Sequence, residues 1–391
     1  MFNINRILFL ITALTMGVPH LGMSDVKPSS LISSTKISEL PFSTISNFVG
    51  VLGQPQLAGL LKYGVRSYRI VYETNWKNTS VKASGLVLVP IGIEGPAPII
   101  SVQHGTTFSK DDIPSAGDYT GMELFASAGF IVVMPDYLGY GTSSEIFHPY
   151  YDKYYSAQTV IDMITSSKEF LQKEKVAYNT KLFLAGYSEG GFVTMAAAEE
   201  IERNPKHELD LSGVAAGAGG YDLMHMLQGV STKDYYSYPA YLAFVLMSYD
   251  KTYEWNRPLS YYFRSKYGEV LSRYMTGSHG GWSINSKLTT DLPALFSPEF
   301  YAGLKKSEGE VELKQALKKN TIKGWKTSTP IRFYHGTADE IIPYSNSEAT
   351  LTSFHHAGSK QVTLTPINRG THGSSLVPML QHFVPWFIEL M

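Results

Sequence analysis

The stretch Lys181-Leu-Phe-Leu-Ala-Gly-Tyr-Ser-Glu-Gly-Gly-Phe-Val-Thr-Met-Ala-Ala-Ala-Glu-Glu-Ile-Glu-Arg203 decides how this chain is read. Its first part, Lys181–Gly186, is short and mostly apolar, as a strand buried on both faces must be. Its last part, Gly190–Arg203, is built of strong helix formers. Between them, Gly186-Tyr187-Ser188-Glu189-Gly190 puts a serine on a tight strand-to-helix turn, with strained backbone and an exposed hydroxyl. Side chains at 186 and 190 would collide across such a turn, and both positions are glycine. The helix N-terminus beneath the serine favours developing negative charge. The pentapeptide alone is a weak signal, since glycine and serine clusters usually mark loops; the strand before it and the helix after it give it meaning.

Outward from this unit the alternation continues. Ala97–Gln103, Phe130–Met134, Leu211–Gly217, Pro330–Tyr334 and Gln361–Thr365 read as short apolar strands. Tyr119–Ala128, Lys153–Lys173, Tyr344–His356 and Leu376–Leu390 read as helices between them. Strand alternating with helix predicts an α/β fold, a mostly parallel sheet with helices on both faces and ligands at the carboxyl ends of the strands. Arg66–Thr74 and Val81–Pro90 alternate polar with apolar residues and predict an antiparallel pair ahead of it. The core then occupies residues 65–220 and 329–391. Residues 221–328 break the pattern and are dense in aromatics, at Tyr235-Tyr236-Ser-Tyr238, Trp255 and Tyr261-Tyr262-Phe263. They read as a helical cap inserted over the sheet edge, where insertions commonly shape pockets. A second structural layer without substrate contact is the alternative. Residues 24–64 are Ser/Thr/Gly/Pro-rich and read as a leader segment on the domain surface.

Composition narrows the chemistry. The chain has 391 residues and a net charge of −1, so it lacks the electrostatic footprint of a nucleic-acid binder. It contains no cysteine, which excludes disulfides, thiolate metal sites and a cysteine nucleophile. One positive charge in Met1–Arg6 precedes the apolar run Ile7–Val18. At about a dozen residues the run is too short to span a bilayer and fits a signal peptide over residues 1–23, hence a secreted or periplasmic protein. Asn78-Thr79-Ser80 is a glycosylation sequon, meaningful in a host that glycosylates.

A serine hydroxyl needs a neighbouring base, and the base needs an orienting carboxylate. His372, in Asn368-Arg-Gly-Thr-His372-Gly373, lies in the turn after the last strand and is the best base. Asp339, in His335-Gly-Thr-Ala-Asp339-Glu-Ile-Ile-Pro343, lies just after the preceding strand and is the best carboxylate, with Glu340 its nearest competitor. The order Ser188, Asp339, His372 is the one this sheet topology demands. The remaining histidines are assigned no chemistry; His104 and His335 sit in His-Gly turns where loop shaping is expected, and His148 lacks a supporting motif. Two backbone N–H groups must hold the oxyanion. Glu189 supplies one; Thr106, in Gln103-His104-Gly105-Thr106-Thr107, is expected to supply the other, with Thr107 second. Substrate contacts are expected from His104, Tyr137, Tyr187, Tyr235 and Tyr238. Pro135–Ser143 lines the pocket or serves as a structural loop. No metal or organic cofactor is needed.

The set Gly186-Tyr-Ser-Glu-Gly-Gly191, Pro135-Asp-Tyr-Leu-Gly-Tyr-Gly141, His335-Gly-Thr-Ala-Asp339 and Thr371-His372-Gly373 resembles the α/β-hydrolase superfamily, and most of all its secretory-lipase-like branch of serine esterases. The resemblance covers roughly residues 65–391 and is weakest in the cap. It implies hydrolysis of carboxylic esters or lipids through an acyl-enzyme on Ser188, with lipid-surface contact, if any, through the cap. That branch often has Gln after the nucleophile where this chain has Glu189; a carboxylate there disfavours anionic acyl groups unless it turns into the helix. A peptidase of the same fold, proline-specific or dipeptidyl, a non-catalytic binding protein, and acyl transfer to an alcohol remain as alternatives.

Overall fold

The computed structural model of the protein describes residues 31–51, 59–117 and 119–391. The expected signal peptide, residues 1–23, lies outside the described residues. Nine strands form one sheet: β1 Leu31–Leu40, β2 Gly64–Trp76, β3 Thr79–Ile91, β4 Ala97–Gln103, β5 Ile131–Pro135, β6 Tyr178–Tyr187, β7 Leu211–Gly217, β8 Ile331–Gly336 and β9 Val362–Ile367. Their order is β1-β2-β3-β5-β4-β6-β7-β8-β9. The pairs from β1 to β5 are antiparallel, and those from β5 through β4 to β9 are parallel.

The parallel strands are apolar throughout because helices cover both faces. In β5, Ile131 and Val133 enter one core while Val132 and Met134 enter the other, the two-residue period of a pleated strand. The first core packs against helices Lys153–Lys173 and Glu189–Arg203, through Phe170, Phe192 and Val193. The second packs against helices Glu123–Ser127 and Leu376–Leu390, through Phe125, Phe383 and Phe387. Helix Lys153–Lys173 starts where the Asp152 side chain accepts from Tyr155 N–H, a capping bond that relieves an otherwise orphaned donor.

Among the described residues, one part of the expected leader differs from expectation. Leu31–Leu40 is not a surface leader but an edge strand, β1, paired antiparallel to β2 with two register shifts. Its run of Ser, Thr and Lys hides the strand in sequence, because an edge strand needs backbone partners more than a buried face. The β2–β3 hairpin turns through Lys77 and Asn78, at φ 48° and 63°, which leaves the sequon asparagine exposed at the tip. Between β7 and β8 the chain forms only helices, from Leu223–Ser231 to Val311–Asn320, tied by two isolated bridges, Tyr235 to Asp291 and Phe263 to Phe296.

The strand order reverses at β4. The chain runs from β4 to β5 on one side, then returns to β6 on the other, so the loops after β4 and β6 diverge. A crevice opens there, the usual ligand position in such sheets. Gln103 pairs with Gly186, which brings the segment after β4 beside Ser188.

Candidate active site

Ser188 sits at φ 60° and ψ −124°, a region that non-glycine residues rarely occupy. Neighbours over-determine this strained geometry. Ser188 N–H donates to the Gly217 carbonyl at 2.8 Å, and the Ser188 carbonyl accepts from Gly191 N–H at 2.9 Å. A Cβ at Gly186 would stand 2.2 Å from the Gly190 oxygen, and one at Gly190 would stand 2.1 Å from the Gln103 oxygen. Both obstacles are backbone and cannot yield cheaply. Gly190→Ala is therefore expected to lower stability by about 1–3 kcal/mol, the usual cost of overpacking. Urea unfolding checks this; an unchanged midpoint would mean that the turn is looser than described.

Three chain segments meet at Ser188. His372, between β9 and helix Leu376–Leu390, places Nε2 2.9 Å from Ser188 Oγ. Its Nδ1 lies 2.7 Å from Asp339 Oδ2, in the loop after β8. The loop carrying His372 is pinned on both sides: Tyr187 OH donates to its carbonyl at 2.6 Å, and its N–H donates to Glu340 Oε2 at 3.1 Å. Glu340, the competing carboxylate, thus holds the backbone of the histidine rather than its ring. The ionised Asp339 fixes the tautomer, so that Nδ1 carries the proton and Nε2 presents its lone pair to the hydroxyl.

Asp339 has a fully buried side chain and accepts four donors. Besides His372, these are Ile341 and Ile342 N–H, at 2.9 and 2.8 Å, and His335 Nε2 at 3.2 Å. His335 was expected only to shape its loop; it also orients the acid. Its Nδ1 faces Ser347 Oγ at 2.7 Å, and its Nε2–H is shared between Asp339 and the Ile342 carbonyl. The four-residue spacing to Asp339 was a signal that sequence reading passed over. Burial acts to raise the Asp339 pKa, but the donors of His335, His372 and Ile342 outweigh it and hold the carboxyl well below its ordinary range. A depressed folded value contributes stability that is complete above the unfolded value, about 3.9, and is lost as pH falls towards the folded one. Wild type is thus expected to lose more stability between pH 5 and pH 2 than Asp339→Asn does; parallel declines in urea midpoint would contradict this.

The oxyanion candidates lie together. The segment after β4 passes against Ser188, a Cβ at Gly105 falling 3.8 Å from Ser188 Cβ. Tyrosines hold it: Tyr137 OH donates to the His104 carbonyl at 2.9 Å, Tyr140 OH to the Thr107 carbonyl, and Thr106 Oγ1 meets Tyr150 OH at 2.8 Å. Neither Thr106 N–H nor Glu189 N–H has a hydrogen-bond partner among the described residues. Pro135–Ser143 therefore acts as a support for this segment, with Asp136 anchored by Ser84 and Ser115.

Ser188 opens onto a narrow cleft between the sheet and the helices that follow β7. Its walls are almost wholly apolar: Leu227, Leu242, Val245, Leu246, Phe296 and Phe300 from the cap, and Ile341 and Ile342 beside Asp339. Its tyrosines are Tyr150, Tyr151, Tyr236 and Tyr241. The five residues expected to touch substrate lie elsewhere. Tyr137 and His104 stack on each other at 4.0 Å, His104 facing a polar cleft on the other side of the loop. Tyr187 supports His372. Tyr235 is 60% exposed and borders an outer groove, and Tyr238 packs on its neighbours Tyr236 and Tyr241. Aromatic density marks the helical insertion between β7 and β8 but not which faces turn inward, since its short helices supply no long period to read.

Fold and site together define an α/β-hydrolase with a serine, histidine and carboxylate line. A sequence profile of the secretory lipase family matches residues 118–389, and the chain belongs to that family. Lipase 9 of Candida albicans is 21% identical over 315 residues, 75% of this chain; the chain spans only 62% of that lipase's length. Among solved structures, a hydrolase of Legionella pneumophila aligns with a TM-score of 0.82 and 27% identity, over 92% of this chain and 98% of its own. The ligand-bound rice cell wall degrading esterase LipA of Xanthomonas oryzae aligns at 0.80 and 25%, over 92% and 97%.

Proposed function

We propose that this protein is a secreted carboxylic ester hydrolase of the lipase and esterase type. The observation that carries the reading is the continuous line from Asp339 through His372 to Ser188 Oγ at the mouth of an apolar cleft. His372 takes the Ser188 proton as Oγ attacks the ester carbonyl. The N–H groups of Glu189 and Thr106 receive the oxyanion, at the positive end of helix Glu189–Arg203. His372 then protonates the leaving alcohol. A water activated by the same imidazole opens the acyl-enzyme and releases the acid.

The cleft would take the acyl chain, since its lining offers no charge to pair and few polar groups to solvate a head group. Esters of medium and long acyl chains are the proposed substrates. A panel of p-nitrophenyl esters, read beside proline p-nitroanilides, tests this; turnover of the anilides alone would replace the ester reading with the peptidase one. Val245→Trp, which fills the cleft wall, is expected to lower kcat/KM for a dodecanoate ester by about 10- to 100-fold, and for acetate far less, as the loss of several methylene contacts predicts. Equal losses for both chain lengths would remove the cleft from acyl binding. For lipid-surface contact we point to the cap, where Trp282 is 85% exposed; Trp282→Ala should weaken binding to phospholipid vesicles. Secretion is tested by N-terminal sequencing of protein recovered outside the cell.

A further inference from the structure

Behind the elbow lies a buried pair that the steps above do not use. Glu189 turns into the protein, and its Oε1 lies 2.7 Å from His148 Nε2, both side chains being buried. His148 Nδ1 lies 2.7 Å from the Leu138 carbonyl oxygen. A carbonyl only accepts, so Nδ1 carries a proton. A neutral imidazole would then offer Glu189 only the lone pair of Nε2, and two acceptors do not rest at hydrogen-bond distance. The pair therefore holds one proton beyond a carboxylate and a neutral imidazole. Whether that proton sits on nitrogen or oxygen, the pair is neutral overall. Among the described residues Glu189 Oε2 is buried without a hydrogen-bond partner, so none of them shares the load.

The pair stands where the two oxyanion amides join. Glu189 N–H is one of them. The other belongs to the segment held by Tyr137, Tyr140 and Tyr150. The same three rings surround His148, with centroids at 5.8, 4.8 and 6.0 Å. The cap reaches this point too: Ser248 Oγ donates to the His148 carbonyl at 2.8 Å, and Phe244 stacks on Tyr150 at 4.6 Å.

We propose that His148 and Glu189 are positioning residues that share one proton, fix the two oxyanion amides relative to each other, and keep the ground beside the oxyanion uncharged. The inference rests on the ester-hydrolase reading above. The phenols of Tyr137, Tyr140, Tyr150 and Tyr151, before helix Lys153–Lys173, and of Tyr241 from the cap, face Glu189; burial pushes all of them up, so they remain neutral. Asp112 faces Tyr140, His104 stacks on Tyr137, and His372 and Asp339 lie across Ser188. Without the shared proton a bare carboxylate would oppose the Nε2 lone pair beside the oxyanion donor, so the proton is what holds the contact together. A Gln at 189 would donate its amide N–H to Nε2 with no shared proton, keeping the geometry.

The experiment compares wild type, Glu189→Ala and Glu189→Gln on one p-nitrophenyl ester, with Ser188→Ala as the blank. Glu189→Ala is expected to lower kcat by about 10- to 100-fold with KM within about threefold, since a displaced oxyanion donor acts on the transition state. Glu189→Gln is expected to recover kcat to within about fivefold of wild type, as an oxyanion donor restored in place should. An alanine variant equal to wild type, an alanine variant impaired in KM rather than kcat, or a Gln variant as impaired as alanine would each overturn the proposal. Should wild type turn over no ester, the hydrolase reading fails. The pair is then judged by the ¹⁵N resonances of His148 in unreacted protein: protonated Nδ1 with an Nε2 resonance displaced towards the protonated range relative to Glu189→Gln upholds the proton count, and an unprotonated Nδ1 in wild type, or an Nε2 resonance equal in the two proteins, overturns it.

Discussion

Replacing Ser188 by alanine is expected to lower kcat for esters by about a million-fold, as loss of the nucleophile does in other enzymes that use such a triad. In the proposed mechanism Oγ forms the acyl bond, and the neighbouring side chains offer no replacement: Tyr187 is bound to the His372 carbonyl, and Glu189 is turned into the core. The variant should fold. The hydroxyl makes one side-chain hydrogen bond, to His372, and its removal leaves no large void. Residual turnover should come from substrate binding and the oxyanion donors alone. Ester hydrolysis and thermal unfolding on the same preparations decide the matter. Activity within about a hundredfold of wild type in a folded variant would place the nucleophile elsewhere.

Asp339→Asn is expected to lower kcat by about ten-thousandfold, while KM changes little. The present carboxylate accepts from His372, His335, Ile341 and Ile342. An amide has one acceptor oxygen for these four donors, and its NH2 group must face at least one of them. Turned towards His372, that NH2 selects the tautomer with the proton on Nε2, which cannot take the proton of Ser188. His335 cannot serve as the base instead, because its Nε2–H is committed to Asp339 and Ile342 and its Nδ1 to Ser347. A loss of less than about tenfold would show that Asp339 is not the orienting acid.

The parts that could be read in advance share one property: each is encoded by a short local pattern. Apolar runs marked β4 to β9, and glycine spacing marked the turn at Ser188. The two partners of the serine followed from strand order, because a parallel sheet sends successive loops to one edge. The edge strand β1 escaped notice because its residues alternate poorly and its stability comes from backbone pairing. The cleft residues were misassigned for a related reason. Tyr235 and Tyr236 are neighbours in the chain, yet one is exposed and the other lines the cleft, and only packing between short helices separates them. His148 carries no motif and gains its role from a carboxylate brought to it by folding, whereas His335 stands four residues before Asp339 and meets it across the turn after β8.

Local residue pattern was enough to fix an α/β sheet, a strained serine at its carboxyl edge, and the order in which acid and base must follow. These depend on periodicity and on turn sterics, which neighbouring residues impose on one another. Folding alone decided which tyrosines face the cleft, that Asp339 would be held by two histidines, and that Glu189 would meet His148 rather than substrate. Those outcomes depend on distances between segments as far apart as 41 and 184 positions, and such distances are set only when both cores have closed.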